Sequence, residues 1–408
     1  MSSRRIALVL AIAAFITGAS LIGINYYDRV SWRVQRTFTS VAHALIPELN
    51  TVPTPQTVST LQPGVLTQVS VPAAVPTVDK TPFPAAAAST AVVIPIPADF
   101  QLTGFTHIWQ KLNNCGPATL AMNLNYWGWK GTQANTAAAL KPDPNDRNVS
   151  PDELAAYARS VGLGAEVRVG GNLQLVKQLV VAGFPVILEK GIILEDAGWS
   201  GHYVLVTGYS DATGNFTTQD SLQGPNFQFP YYLASESWRA FNYTYIVTFP
   251  PDRQAELQAL LGADVDAQAN YAQAANFARQ EVASLGGQDL AFAWFNLGTN
   301  LNALGDSANA ASAFDQARVA QLPWRIVWYQ FGPFEAYYNA GRYSDVIALA
   351  DSTLAQANNL EEVYYWRGRA YLATGRQDQA IADWQTALRY NRNYQAPTQA
   401  LAQLGISP

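Results

Sequence analysis

The sequence predicts an α+β domain followed by an all-α helical-repeat domain, both placed behind an N-terminal transmembrane helix. Three observations carry this prediction: an uncharged apolar stretch at 6–24, mixed helix and strand signals over 99–250, and a recurring helical pattern over 251–408. A length of 408 residues also exceeds what one hydrophobic core normally supports. We place the domain boundaries at 1–25, 26–98, 99–250 and 251–408.

The composition excludes several classes of protein. Charged residues make up 13% of the chain and the formal net charge is −5, so we expect no basic surface for nucleic acid. Cys115 is the only cysteine, which excludes an intramolecular disulfide and a zinc site built on several thiolates. We expect no cofactor and no metal. Any cysteine–histidine chemistry must use one of the three histidines: His43, His107 and His202.

The apolar stretch 6–24 has the length of a membrane-spanning helix. At about 1.5 Å per residue it rises roughly 29 Å, which matches the hydrocarbon core of a bilayer. A cleavable signal peptide usually has a shorter apolar region, so an uncleaved anchor is favoured. Arg4 and Arg5 favour a cytoplasmic N-terminus, although the arginines after the stretch weaken this preference. We expect a single-pass protein of the cell membrane with its other domains extracytoplasmic; secretion after signal cleavage is the alternative.

Residues 26–98 join the anchor to the next domain. The part before residue 51 is compatible with an amphipathic juxtamembrane helix, with His43 on its surface. Residues 51–98 are rich in proline, threonine and alanine, a composition that blocks helices and sheets and favours an extended chain. We expect this linker to hold the following domain away from the membrane.

Residues 99–250 carry the signals of a mixed domain. Ser150 and Glu153 form a capping box, with proline at the first helical position. Together with Gly128 as a terminator, cap signals predict three helices: 114–127, 151–160 and 173–181. Short apolar or alternating runs predict strands: 165–169, 184–188, 202–207, 216–220 and 245–249. A turn at 211–215 predicts that the third and fourth of these strands form a hairpin.

Cys115 stands where the first of these helices begins. It follows Asn113 and Asn114, which are residues favoured at a helix N-cap. Unpaired N–H groups and the positive end of the helix dipole favour a thiolate over a thiol, and a lowered pKa activates a cysteine nucleophile. The same N–H groups can stabilise an oxyanion. This position favours a nucleophile over the alternative, a buried structural cysteine.

His202 is the predicted base. It opens a strand after 198–201, where two glycines allow a flexible approach to a cleft. His107 is the less favoured alternative, because it lies on the segment that enters the helix of Cys115. An ordinary core histidine bonded to the backbone is the non-catalytic alternative for His202.

Asp220 is the predicted group that orients the imidazole of His202. It ends the strand after His202, so an antiparallel hairpin returns its carboxylate towards the ring. Simple pairing about the turn places Asp220 nearer Leu205 than His202, so a twist or a bulge must close the gap. Asn226 is a weaker candidate for the same role, and Asp211 is interpreted as a turn residue.

Three stretches carry a family resemblance: Gln110-x4-Cys115-Gly116-Pro117-Ala118, then Gly201-His202-Tyr203-Val204 with its continuation to Tyr209, then Asp220. Over roughly 100–250 the chain resembles the bacteriocin-leader-processing cysteine peptidases and their stand-alone peptidase C39-like relatives, which have the papain-like fold. The resemblance implies that Cys115 attacks a carbonyl carbon and that His202 accepts its proton. It also implies that Asp220 orients His202 and that the Gln110 amide donates to the oxyanion.

The resemblance implies a bacterial cysteine peptidase that hydrolyses a peptide or amide bond through a thioacyl intermediate on Cys115. Relatives usually have Asp-Pro at the third position, whereas this chain has Asp220-Ser221. The leader peptidases proper are fused to ABC exporters, and no G-x-x-x-x-G-K-[ST] phosphate loop occurs here. A catalytically silent papain-like fold that binds peptide as a scaffold is the alternative, and acyl transfer to an amine would use the same residues.

The segment 251–408 contains a helical repeat. Gly305, Gly341 and Gly375 recur at spacings of 36 (341 − 305) and 34 (375 − 341), with aromatic residues and alanines between them. This resembles the tetratricopeptide repeat, whose period is about 34 residues. The middle copy is degenerate, with Pro333 and Phe334 where Leu-Gly is usual. Such arrays bind peptides, so the expected partners are a peptide or protein substrate, a protein on the repeats, and the membrane through the N-terminal helix.

Overall fold

The structure, a computed structural model, describes residues 51–62, 64–66, 95–143, 145–194 and 198–407. The predicted anchor at 1–25, the juxtamembrane helix and His43 lie outside the described residues. Among the residues that are described, no helix has both the length and the apolar character that a bilayer span requires.

An antiparallel sheet organises the first domain. Its strands are β1 Asp99–Gln101, β2 Gly164–Arg168, β3 Val186–Leu194, β4 Gly198–Ser210, β5 Asn215–Asp220, β6 Gly224–Pro230 and β7 Tyr245–Phe249. They lie side by side in the order β2-β7-β3-β4-β5-β6, and β1 pairs with β4. The strand β4 therefore lies inside the sheet, with neighbours that fix it along its length.

Helices cover both faces of this sheet. They are α1 Cys115–Tyr126, α2 Gln133–Leu140, α3 Pro151–Ser160, α4 Leu173–Val181 and α5 Tyr231–Arg239. Because side chains alternate along a strand, Ile187 of β3 packs with α1 and α3 on one face, whereas Leu188 packs with α4 and α5 on the other. The predicted α+β domain is confirmed.

Predicted and observed elements agree in some places and differ in others. The predicted capping box is present, because Ser150 and Glu153 each bond the backbone N–H of the other. The strand of His202 is longer than predicted, since β4 already begins at Gly198 and pairs with β3 from that residue. The approach to His202 is thus a fixed strand and the prediction of a flexible segment was wrong. The elements β1, α2, β6 and α5 were not predicted.

The second region is helical. Its helices are α6 Gln254–Leu261, α7 Ala267–Ser284, α8 Gly287–Ala303, α9 Ser307–Val319, α10 Gly332–Asn339, α11 Tyr343–Gln356, α12 Glu361–Ala373, α13 Gln377–Tyr390 and α14 Gln395–Gln403, and short 3₁₀ turns include Trp324–Trp328. The repeat glycines Gly305, Gly341 and Gly375 have φ of 84°, 74° and 79°. This backbone conformation strongly favours glycine, which explains why these residues recur.

Each regular repeat packs a glycine of one helix against an aromatic ring of the next. A Cβ on Gly368 would lie 2.6 Å from the Trp384 indole nitrogen, and one on Gly298 would lie 2.9 Å from the Phe314 ring. The middle repeat departs from this pattern. Its first helix, α10, has 8 residues against 17 in α8, and the 3₁₀ turn Trp324–Trp328 precedes it.

The two regions share one hydrophobic core. Ala240 and Phe241, which follow α5, belong to the same buried cluster as Phe292 and Phe295 of α8. Polar contacts reinforce this seam, because the buried side chains of Asn242 and Asn300 bond each other at 2.6 and 3.2 Å. The α+β domain and the repeats are therefore packed together by both apolar and polar groups.

The first part of the proline-rich segment lies on the helical region. We call residues 51–62 and 64–66 the strap. Val52 is buried in the shared core, and its N–H donates to the Leu322 carbonyl at 2.9 Å. The prediction of a free spacer was therefore wrong for these residues, because side chains and carbonyls more than 200 positions away bind them.

Candidate active site

Cys115, His202 and Asp220 form a continuous hydrogen-bonded chain. The Cys115 sulfur bonds the His202 side chain. Nε2 of His202 lies 2.8 Å from Oδ1 of Asp220, and both residues are buried. Cys115 as a whole residue is of intermediate burial, and it lines a small cavity together with His202. The structure thus brings three of the four predicted site residues into direct contact.

A β-bulge places Asp220 beside His202. In the β4–β5 hairpin, Val206 pairs with Thr218, but Gly208 pairs with Thr217, so Thr207 is an extra residue. The bulge shifts the register so that Leu205 faces Gln219 instead of Asp220. If this register continues by one step, Asp220 lies opposite Val204, which is two positions after His202. Residues two apart share a face of a sheet, so the bulge supplies the adjustment that simple pairing lacked.

The charges of this chain favour a thiolate–imidazolium pair. Burial alone would lower the pKa of His202, but the charge and hydrogen bond of Asp220 and the bond to Cys115 raise it to about 9. Burial alone would raise the pKa of Cys115, but the hydrogen bond and charge of His202, a backbone bond with Tyr203, and Lys141 together lower it.

Asp220 stays ionised beside the imidazole. Burial would raise the pKa of its carboxyl, but the charge and hydrogen bond of His202, the charge of Lys190 and the Gln223 N–H lower it to about 2. The N–H groups of Leu222 and Gln223 both donate to Oδ1, at 2.9 and 3.0 Å. The turn after Asp220 therefore holds its carboxylate without the proline that relatives usually have.

The start of α1 differs from the prediction. Asn114 occupies the N-cap position, but its side chain makes no capping bond and instead donates to Gln133 at 3.3 Å. Asn113 has φ of 57°, a left-handed conformation that asparagine tolerates. The buried ammonium of Lys141 donates to the Asn113 carbonyl at 2.9 Å. A cation, and not an asparagine cap, accompanies the helix N-terminus at Cys115.

Gln110 is held by Ser221, the residue that stands where relatives usually have proline. The Ser221 hydroxyl donates to Oε1 of Gln110 at 2.9 Å, and the Gln110 N–H donates to the Ser221 carbonyl at 3.0 Å. Since Oε1 is used as an acceptor, Nε2 is the amide group that is left to donate to a substrate. Ser221 thus connects the fourth predicted site residue to the turn of Asp220.

Two charged residues of β3 were missed from the sequence. Glu189 and Lys190 pair with Tyr203 and His202 across the β3–β4 ladder. Both are buried, and burial raises the pKa of Glu189 well above its usual range and lowers that of Lys190. A Glu-Lys pair in the middle of an apolar strand is the sequence signal that could have found them, because buried charges usually serve a site.

The cavity at Cys115 is closed by the helical region. Tyr329, which follows the 3₁₀ turn Trp324–Trp328, lines it together with Gly201 and His202. A Cβ on Gly201 would lie 3.1 Å from the Tyr329 ring, so the ring lies directly on β4. The free volume is about 10 Å³, which is roughly the space of one water molecule. No sequence signal marked Tyr329, because the middle repeat is irregular.

The alternative candidates lie elsewhere. Nδ1 of His107 lies 3.3 Å from the Gln219 side chain, and its ring packs edge-on against Trp109. Asn226 accepts a hydrogen bond from Gln219. Asp211 lies in the hairpin turn and pairs with Lys177. Within the described ranges, no cluster of three histidine, cysteine or carboxylate side chains is arranged to hold a metal ion.

Both regions of the chain match known family models. Residues 93–246 match the Peptidase_C39 like family, and residues 361–394 match the tetratricopeptide repeat. The second match covers α12 and α13, the last regular repeat. A comparison with curated proteins gives no match.

Two solved structures are similar to part of the chain. One, described as a C39-like peptidase from Bacillus anthracis, is 16% identical, covers 37% of this chain and 98% of its own, and has a TM-score of 0.31. The other, the peptidase domain of the Streptococcus ABC transporter ComA, is 16% identical, covers 36% and 99%, and has a TM-score of 0.28. The assignment rests on the family matches: the chain carries a Peptidase_C39-like α+β domain followed by a helical region with a tetratricopeptide repeat.

Proposed function

We propose that this protein is a membrane-tethered cysteine peptidase that hydrolyses a peptide or amide bond. The observation that carries the proposal is the hydrogen-bonded chain from Cys115 through His202 to Asp220, with Nε2 of His202 at 2.8 Å from the carboxylate. A thiolate that lines a cavity beside an imidazolium is the arrangement that nucleophilic catalysis by cysteine needs.

In this proposal the Cys115 thiolate attacks the carbonyl carbon, and a thioester forms as the amine leaves. The His202 imidazolium gives its proton to the leaving amine, and the neutral ring then activates the water that hydrolyses the thioester. Asp220 keeps the ring oriented and stabilises its charge. The Gln110 amide, held by Ser221, and the backbone at the start of α1 would donate to the oxyanion.

The substrate would be a peptide or protein, and the repeats would recruit it or a partner protein. The apolar stretch 6–24 supports an anchor that places both domains outside the cytoplasm. The mild acidic balance of the chain gives no reason to expect nucleic acid.

A thiol-directed haloacetamide probe on the full chain tests the proposal, because Cys115 is the only cysteine. At pH 7 we expect fast labelling of the wild type and none of Cys115→Ala. An ordinary thiol with a pKa of 8.5 is about 3% ionised at that pH, so His202→Ala should slow labelling by up to about 30-fold. His107→Ala is the matched control and should label like the wild type.

Hydrolysis is tested by incubating a peptide library with the wild type and with Cys115→Ala. New N-termini that appear only with the wild type support the peptidase, whereas amide adducts of an added amine would identify acyl transfer.

A second candidate is a catalytically silent C39-like fold that serves as a binding module. One observation favours it, namely that the cavity beside Cys115 has room for only about one water molecule while Tyr329 lies over it. Equal labelling of the wild type and His202→Ala, with no new N-termini, would select this function.

A further inference from the structure

The strap is held by side chains that project from one face of α9. The Ser59 N–H donates to Oδ2 of Asp315 at 2.9 Å, and the Gln62 N–H donates to Oδ1 of Asn309 at 3.0 Å. Arg318 donates from Nε to the Pro53 carbonyl at 2.7 Å. These contacts extend over most of the length of α9.

Other elements bind the flanks of the strap. The Val52 N–H donates to the Leu322 carbonyl at 2.9 Å, and Thr51 forms a β-bridge with Pro323. Arg342 donates to the Thr57 carbonyl at 3.3 Å. Near the other end, Arg279 of α7 donates to the carbonyl of Val65.

Nearly all of these bonds reach the main chain of the strap. Its N–H and carbonyl groups are bonded at residues 52, 53, 57, 59, 60, 62 and 65, whereas the Ser59 hydroxyl is bonded as a side chain. Apolar side chains add to this, since Val52 and Pro55 are buried. A surface that bonds backbone groups selects for an extended conformation of the bound segment more than for its side chains.

Polar side chains form a regular row on the face of α9 that the strap covers. Asn309, Ser312, Asp315 and Arg318 recur every third residue and are all buried. Asp315 is fully buried and is held by Arg342 at 2.7 Å and by the Tyr337 hydroxyl at 2.8 Å. Buried polar groups normally require partners, and the strap supplies partners for this row.

The row of polar side chains on α9 is separate from the main polar contacts of the seam between the two regions. In that seam Asn300 of α8 bonds Asn242, and Glu362 of α12 accepts from Asn148 at 3.2 Å. The helix α7 contributes to both, because its Arg279 bonds the strap while another of its side chains accepts from the α+β domain.

We propose that the α9 face is a binding site for an extended polypeptide, that the strap is its built-in occupant, and that an uncharged, proline-containing segment from another chain binds by displacing it. The site is distinct from Cys115, so it stands whether or not the protein hydrolyses peptides.

The test uses the full chain and a fluorescent peptide of residues 51–66. Ser59→Pro with Gln62→Pro in the full chain removes two N–H donors of the strap, while Ser59→Ala with Gln62→Ala keeps both and is the matched control. A tethered strap competes at an effective concentration of about millimolar. We expect the proline variant to bind the peptide at least about tenfold more tightly than the wild type and the alanine variant.

A peptide with the same two prolines should bind none of the three chains. Equal affinity of the three chains for the parent peptide, or equal binding of the two peptides, would overturn the proposal.

Hydrogen exchange on the unmodified full chain gives a measurement that needs no variant. The amides of Val52, Ser59 and Gln62 should exchange slowly, and excess 51–66 peptide should restore the rates of a free peptide. Exchange at free-peptide rates without any competitor would show that the strap is not bound and would refute the site.

Discussion

The cavity at Cys115 has two walls that differ in kind. The wall from the α+β domain is charged, because a hydrogen-bonded chain links Cys115 to His202 and Asp220. The wall from the helical region is an aromatic ring, since Tyr329 lies over Gly201. The first wall governs the reactivity of the sulfur, and the second governs which reagents or substrates can reach it. Chemistry and access are thus held by separate parts of the chain and should be separable by mutation.

Asp220→Asn should break the charged wall and give the largest effect. Without the carboxylate, burial lowers the pKa of His202, the imidazolium is lost at neutral pH, and the pKa of Cys115 rises. Haloacetamide labelling at pH 7 should fall by up to about 30-fold, because an ordinary thiol is largely protonated there. The deficit should shrink as the pH approaches 9, where such a thiol ionises unaided.

Asp211→Asn removes a carboxylate from the exposed hairpin turn and should leave the labelling rate unchanged. If Asp220→Asn labels as fast as this control at pH 7, the carboxylate does not set the charge of the pair.

Asp220→Asn should also lower the free energy of unfolding, by an amount that depends on pH. His202 has a raised pKa of about 9, so its contribution is complete below about pH 6.5 and is lost as the pH rises through 9. Asp220 has a lowered pKa of about 2, so its contribution is complete above about pH 3.9 and is lost as the pH falls through 2. The difference in free energy of unfolding between wild type and Asp220→Asn should be largest from pH 4 to 6.5, measured by urea titration.

Tyr329→Ala should open the second wall and give a smaller effect of opposite sign. Removal of the ring over Gly201 enlarges the cavity and leaves Cys115, His202 and Asp220 in place. Labelling of Cys115 should therefore rise severalfold, and more for a bulky reagent than for a small one. Tyr364→Ala removes a ring that stacks on Tyr390 instead and should not change the rate. An equal rise for both reagents would mean that the ring does not control access.

Gly368→Ala should affect stability alone, because Gly368 lies in α12 and does not line the cavity. Its Cβ would lie 2.6 Å from the Trp384 indole and 3.1 Å from the Ala380 carbonyl. Overpacking of this kind costs about 1–3 kcal/mol, which thermal denaturation would detect. Gly286→Ala meets open space at a negative φ and should cost less, about 1 kcal/mol or below, because alanine is only a poorer N-cap than glycine. Altered Cys115 labelling in folded Gly368→Ala would show that the repeat is coupled to the cavity.

Local patterns in the sequence were sufficient for the start of α1 and for the repeat glycines. The residue types before Cys115 predict that a helix begins there, as it does. The spacing of Gly305, Gly341 and Gly375 predicts a repeat, whereas the left-handed backbone that requires glycine at these positions is visible only in the structure. The contact between His202 and Asp220 was only suspected. The bulge at Thr207 that creates it involves a distant segment, because the N–H of Leu102 bonds the Thr207 carbonyl at 2.8 Å.

Contacts between distant segments were not predictable from the sequence. Tyr329 belongs to a degenerate repeat, and its position over β4 depends on how two regions dock. The strap was interpreted as a spacer because its prolines exclude helices and sheets, which remains true of its backbone, but composition does not tell which surface an extended chain will bind. Gln110 was selected by resemblance, and the bond from Ser221 that holds it crosses 111 positions.

The core shared by Phe241 of the α+β domain, Phe295 of the repeats and Val52 of the strap has a consequence for denaturation. Unfolding of either region alone would expose apolar surface of the other, which costs free energy, so we expect both to unfold together. Calorimetry of the full chain should therefore record one cooperative heat-absorption peak for both regions, with a van't Hoff enthalpy that matches the heat taken up.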